Sequence, residues 1–168
     1  MRVPIGVCDV VFRGQTYFQL ADAAVFEAMP TYETLSMGQF EKRHILSDYL
    51  VSLDLSLNDE NYDTLKLAYP ALKDYGAGLY DNPSMVNYEG EPLIIHPISM
   101  GDDKEYDITI FSAILDPEKG LTRTYAKGVD AISIRFLGQP SEKINGNKFK
   151  SYFFIGDTEG AGIQLWRY

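Results

Sequence analysis

Asp59, Asn61 and Asp63 alternate as the opening ligands of a calcium-binding loop do, with oxygen donors at the first, third and fifth positions. The rest of that loop is missing. Its sixth position is Thr64 where a sharp turn needs glycine, and its twelfth is Pro70 where a bidentate glutamate closes the shell. A capped helix start explains the same acids better. His44 and His96 are the only histidines, and neither has a second metal ligand at strand spacing, so both are expected to be structural. Asp102 and Asp103 are adjacent carboxylates of the kind that can divide acid and base work, but they fall in a charged turn, where such residues commonly serve solubility. Gly160-Ala161-Gly162 has the look of a dinucleotide loop without a strand before it or a helix after it. Walker A, GxSxG and HExxH signatures are absent. The expectation is a protein that is not an enzyme, with no catalytic residues, no metal and no cofactor.

Composition narrows the remaining classes. Cys8 is the single cysteine, which excludes a disulfide framework and a CxxC site. Fifteen Lys and Arg against 24 Asp and Glu give a net charge of −9, which argues against a protein that holds nucleic acid by releasing counterions from phosphates. The first residues show no signal-peptide pattern, and no apolar run approaches the roughly 20 residues needed to span a bilayer, so a soluble chain made in the cytoplasm is expected. At 168 residues the chain suits one domain, 1–168, with a sizeable core.

The elements that must position these side chains are mostly strands. Gly6 to Phe12 and Gln15 to Leu20 flank Arg13-Gly14 as a hairpin, and Ala24 to Met29 reads as a strand ending at Pro30. From His44 to Leu57 the period is two: Tyr49, Val51, Leu53, Leu55 and Leu57 form an apolar edge, and Asp48, Ser52, Asp54 and Ser56 a small, acidic one, interrupted by Leu50. Asn58 then caps one helix, with Tyr62, Leu65, Ala68, Tyr69 and Leu72 on its packing face and Pro70 ending it. Pro92 to Met100 and Tyr106 to Leu115 form a second hairpin, with Ile108, Ile110 and Ile114 on one side. Val129 to Leu137 packs through Ile132, Ile134 and Phe136, Asn145-Gly146 marks a turn, and Lys148 to Ile155 is the last strand.

Long segments of neither period separate these elements, at about 31–43, 73–91, 116–128 and 156–168. Structureless stretches of such length are unusual in a compact domain and normally have a job. The predicted fold is therefore mainly β: a β-sandwich or partly closed barrel with one α-helix and long extended arms. The 12 tyrosines and 9 phenylalanines bury area on the predicted core faces, though exposed tyrosines near 76–90 leave open a small carbohydrate- or ligand-binding module.

The order of elements resembles the tail tube, or major tail, proteins of tailed bacteriophages, a fold shared by type VI secretion tube proteins and baseplate hub proteins. The resemblance rests on the hairpin Val-Pro-Ile-Gly-Val-Cys-Asp-Val-Val-Phe-Arg-Gly-Gln, the arm up to Arg43 and the block from Tyr49 to Glu60. It extends to the closing strands Ala131 to Phe136 and Ser151 to Asp157. It spans most of the chain as a likeness of layout. What it implies is a virion protein, assembled in the host cytoplasm, that forms homohexameric rings stacked into a hollow tube for DNA ejection. The implied partners are copies of itself and tail components such as the tape measure, terminator and baseplate proteins, with DNA passing through unbound and no membrane. A terminator or hub role on the same fold stays open. Under that reading Asp48, Ser52, Asp54 and Ser56 face the lumen, where a negative wall keeps a duplex carrying about one charge per 1.7 Å sliding. The same face also reads as an ordinary solvated surface.

Overall fold

A period of two in the sequence becomes ten strands in the computed structural model, which describes residues 6–17, 23–58, 60–128, 131–142, 144 and 150–166. The expected turn at Asn145-Gly146, the strand ends Phe18 to Leu20, Val129 and Lys148, the acid Asp59 and the final Arg167-Tyr168 lie outside these residues.

Strands β1 (Cys8–Phe12) and β2 (Gln15–Tyr17) form the first hairpin. Its two-residue connection places Arg13 at φ 51° and Gly14 at φ 73°, the positive pair that matches the right-handed twist of the flanking strands. β3 (Val25–Ser36) and β4 (Lys42–Leu57) follow, then α1 (Tyr62–Ala68), β5 (Leu72–Tyr75) and β6 (Gly78–Asp81). β7 (Glu91–Pro97) leads through a 3-10 turn at Ile98–Met100 into β8 (Ile108–Leu115), and β9 (Ile132–Gly138) and β10 (Phe153–Ile155) close the chain. The large antiparallel sheet runs β2-β1-β7-β8-β9-β4-β3, with β10 beside β8, and β5-β6 form a separate pair.

The sheet curls on itself. Phe12 of β1 stacks edge-on against Phe136 of β9 with ring centroids 4.8 Å apart, although β7 and β8 separate those strands in the sheet. Phe26 meets Phe153 and Tyr49 meets Tyr152 in the same geometry, at 5.1 and 4.7 Å. The turn is made along β8, whose ladder to β7 shifts register between Glu91 and Leu93, as a bulge does where a sheet bends. One edge of β8 is then shared, its first half pairing β10 and its second half β9. The shift also changes which side chains share the central cluster: Ile108, Ile110, Ala113 and Leu115 join it, and Ile114, expected beside Ile108 and Ile110, is buried outside it. The result is a mainly β fold with one helix, and Val10, Leu53, Leu93, Ile110, Ile134 and Phe136 are almost fully buried at its centre.

The helix begins later than expected. Its cap is Asn61, not Asn58: the Asn61 side chain accepts from the Thr64 N–H, and the Thr64 hydroxyl accepts from the Asn61 N–H, a reciprocal capping box worth about 1 kcal/mol. Thr64, Leu67 and Ala68 are its buried side, whereas Tyr62 stays exposed. Pro70 follows the C-cap Tyr69, as a helix stop should. The stretch 73–91, read as a structureless arm, contains most of the β5-β6 hairpin, whose strands of four residues are too short to display a period. Segments 116–128 and 156–166 contain no helix or strand. Among the described residues no helix is long and apolar enough to cross a membrane.

Candidate functional site

β4 is longer than the sheet it serves. Only Ser52 to Leu57 pair with β9, while β3 accompanies β4 from Val25 opposite Asp54 to Ser36 opposite Lys42. Beyond the sheet the two strands continue as a projecting two-stranded arm, closed by Met37 to Glu41 through a Met37 N–H to Glu41 carbonyl bond of 2.8 Å. The expected strand end at Pro30 is therefore overridden. β3 is an edge strand, the one place in a sheet where a residue without an N–H is tolerated. Segment 31–43 is thus an ordered hairpin arm.

A bulge sits in the arm. Thr31 pairs with Asp48 and Tyr32 with Leu46, which leaves Ser47 as the extra residue on β4, its hydroxyl donating to the Thr31 carbonyl at 3.0 Å. β3 has no such interruption, so its parity identifies the faces. Phe26 and Ala28 pack on the core, and Pro30, Tyr32 and Thr34 continue that side, with Leu46 opposite Tyr32. Val25, Met29 and Leu35 lie on the other side, with Leu50 opposite Met29 and Ile45 opposite Glu33. Tyr32, Leu46, Met29, Leu50, Ile45 and Leu35 are all exposed, and at the tip Phe40 is 94% exposed. An arm that is apolar on both faces and open along its outer edge is the sort of surface that pairs with another chain.

The expected acidic face of β4 is realised in part. Asp48 is exposed, its Oδ1 accepting the Tyr49 N–H at 2.8 Å. Asp54 and Ser56 are partly exposed. Ser52, expected beside them, is 0% exposed and its hydroxyl has no partner, so it is not on an open face. The cause is position: Ser52 has a strand on either side, Glu27 on β3 and Leu137 on β9, whereas Asp48 and Leu50 have only β3 beside them. The charge is also tempered. Arg135, directly opposite Asp54 in the ladder, comes within 3.6 Å of it and 3.3 Å of Asp116, and Lys119 donates to the Ser133 hydroxyl at 2.9 Å. Glu27, Asp48, Asp54 and Asp116 still outnumber Arg135 and Lys119 there.

The remaining candidates separate. His44 lies exposed on the arm with Nδ1 3.3 Å from the Thr34 hydroxyl. His96 is held hard: Nδ1 is 2.5 Å from Asp107 Oδ1, and Nε2 is 2.7 Å from the Gly101 carbonyl. Asp9, its ladder partner on β1, adds a second nearby carboxylate. The hydrogen bond to Asp107, ahead of all other causes, raises the His96 pKa. Since both ring nitrogens face acceptors, the arrangement favours the protonated imidazole, which ties the turn after β7 to the start of β8. Neither nitrogen is free to take a proton from a substrate, so this is a latch in the fold. Asp102 and Asp103 are exposed, and Asp103 caps its own turn by accepting the Glu105 N–H at 2.9 Å. Gly160-Ala161-Gly162 lies in turns. Half-buried Cys8 is unpaired, and burial pushes its thiol pKa up, away from reactivity. Among the described residues no three His, Cys, Asp or Glu side chains gather to hold a metal.

A broad open groove of about 890 Å³ is lined by Arg13, Glu91, Ser112 and Trp166 among others. Arg13 is paired with Glu91 at 3.4 Å, Ser112 donates to the Gln139 side-chain oxygen at 3.3 Å, and neither histidine lines the groove. At the far end of β4 lies a second exposed patch. Tyr75 and Tyr80 of the β5-β6 hairpin stack edge-on at 6.1 Å, and Tyr62, Met85 and Tyr88 are exposed as well. No protein-family model matches this sequence, and no curated protein matches it.

Proposed function

We propose that this chain is a structural subunit of a tailed-bacteriophage virion, stacking as homo-oligomeric rings into a hollow tail tube through which DNA is ejected. The observation that carries the reading is the β3-β4 arm: exposed apolar residues on both faces and an open edge strand of 12 residues, with nothing among the described residues to cover them. Ordering such an arm costs roughly 1–2 kcal/mol of backbone entropy per residue, a cost that neighbouring copies offset by burying it. In a ring, an edge strand that would otherwise invite aggregation is consumed by the next subunit, and head-to-tail stacking needs no closure. Six-membered rings follow from the resemblance in layout. The role is structural, not catalytic. Exposed Asp48 and partly exposed Asp54 and Ser56 supply an acidic lumen wall, Ser52 being withdrawn from it.

Negative-stain microscopy of the purified full chain tests this. Hollow tubes of uniform diameter are the expected product; isolated rings that never elongate point instead to a terminator or hub role, and a monodisperse monomer at every concentration overturns the reading. If tubes form, Asp48→Lys with Asp54→Lys addresses the lumen: slowed DNA ejection is expected, and ejection at the normal rate removes these residues from the channel wall.

A further inference from the structure

We propose that residues 156–166 form a strap over the outer face of β7 and β8, and that the His96-Asp107 pair locks it, closed while the imidazole carries its second proton and released when that proton leaves. The device needs one copy of the chain and stands apart from the assembly reading.

The strap is a unit of its own. It leaves β10 at Gly156, whose φ of 131° suits glycine and strains any other residue, and then folds on itself. The Ala161 N–H donates to the Asp157 carbonyl at 3.0 Å, Gly162 to Glu159 at 3.0 Å and Ile163 to Thr158 at 2.9 Å, bonds that the segment keeps when it moves as one body. What it covers is the side of the sheet away from the core. Thr109 lies between Ile108 and Ile110, which pack in the central cluster, so it points to the other face, yet it is 1% exposed. Thr109 and its ladder partner Ile94 line a cavity of about 260 Å³ together with Ile163, Leu165 and Trp166 of the strap. Leu165 and Trp166 also line the 890 Å³ groove, so the end of the strap is a wall between the two. Its release joins them into one open face.

Two of its tethers run to the residues of the latch. The Gly156 N–H donates to the Asp107 carbonyl at 2.9 Å, and Glu159 Oε2 meets Lys104 Nζ at 3.3 Å. The Asp107 N–H in turn donates to the Lys104 carbonyl at 3.2 Å, so one turn carries both tethers. Asp107 therefore holds His96 with its side chain and the strap with its backbone. The charged groups around His96 are Asp107 at the start of β8 and Asp9 on β1, then Lys104 with exposed Asp102, Asp103 and Glu105 in the turn, and Asp157 and Glu159 on the strap beside Lys104. Asp9 Oδ1 is buried with no hydrogen-bond partner among the described residues, so two carboxylates lean on one imidazolium.

A neutral imidazole has one N–H for two acceptors. Whichever nitrogen loses its proton then faces an acceptor lone pair to lone pair, Asp107 Oδ1 at 2.5 Å or the Gly101 carbonyl at 2.7 Å, and Asp9 and Asp107 lose the cation between them. The turn relieves this by shifting Asp107 and Lys104, and the strap's tethers shift with them. The hydrogen bond to Asp107, the largest of several causes, raises the His96 pKa, so the lock holds in acid and through the ordinary histidine range and opens above it.

Trp166 is the single tryptophan and sits on the strap, so its fluorescence reads the lock directly. The dilute full chain is titrated from pH ~5.5 to ~9, with acrylamide quenching of Trp166 followed alongside far-UV circular dichroism. Quenching is expected to rise about twofold while the circular dichroism stays constant, as a local opening requires. His96 is titrated in the same samples through its imidazole C–H proton resonance, told apart from that of exposed His44 by the variant His44→Gln. The two midpoints should agree within about 0.3 pH unit. His96→Gln is expected to abolish the quenching step, with circular dichroism to show that it folds. Quenching that is flat across the range, a midpoint more than about one unit from that of His96, or a step that persists in His96→Gln each overturns the lock. Should His96→Gln fail to fold, the two wild-type midpoints decide alone.

Discussion

Within the single strand β4, Val51 to Leu57 and Ile45 to Leu50 are similarly apolar and have opposite fates. In the first stretch Val51, Leu53, Leu55 and Leu57 are buried, with β9 beside Ser52 to Leu57 and β3 alongside as far as Asp54. In the second, Ile45, Leu46 and Leu50 stand exposed with only β3 beside them. Burial of a large aliphatic side chain contributes roughly 1.5–3 kcal/mol, so the inner half holds the body together and the outer half holds that potential in reserve. What separates them is the neighbours each half meets; composition alone would have treated them alike. Half of β4 thus runs past the sheet with its apolar residues uncovered, the feature on which the proposed assembly rests.

Substitutions that target each region sharpen the contrast. Phe136→Ala in the body removes a ring packed against Phe12, and is expected to cost about 3–5 kcal/mol in urea-induced unfolding. Asp107→Ala takes the charged partner from His96 and is expected to cost about 1.5–3 kcal/mol by the same measurement. Asn61→Ala, which deletes half of the capping box, should cost about 1 kcal/mol. Ile45→Ser with Leu46→Ser in the arm should change the stability of the dilute chain by no more than about 0.5 kcal/mol while abolishing self-association. An arm variant as costly to the lone chain as Phe136→Ala would erase the distinction between the two halves.

The latch at His96 adds a dependence on pH whose sign follows from its partners. A histidine whose pKa is raised by folding contributes its full stabilisation below the ordinary histidine value near ~6.5, and that contribution is lost as pH climbs through the raised value. Thermal melts of the wild type are expected to fall in Tm above that point. Asp107→Asn, which keeps the shape and removes the charge, should flatten the slope. A slope unchanged by that substitution would assign it to other groups.

Much of this architecture was legible in the residues. The alternation Leu53, Leu55, Leu57 and the alternation Ile132, Ile134, Phe136 both resolve into core-facing strands, because a period of two in half-buried sheets is written directly into side-chain polarity. The burial of Ser52 was not legible, since burial depends on what lies beside a strand as well as on its own pattern. Ile114 was misplaced for a related reason, because a one-residue register shift inverts every side chain beyond it. Asn58 and Asn61 are equally good caps by type, and only the reciprocal bond from Thr64 selects the second. The arm was foreseen as an irregular excursion; its order as paired strands was hidden because its apolar residues fall on both faces, which cancels the period that marks a strand.

Hydrogen exchange of the full chain across a concentration series tests the central claim most directly. Amides of residues 29–50 should exchange quickly in dilute solution and become protected as concentration rises, while those of Leu53, Ile110 and Ile134 stay protected throughout. Arm amides whose exchange is the same at every concentration would contradict the account, for the arm would then be complete without a second copy.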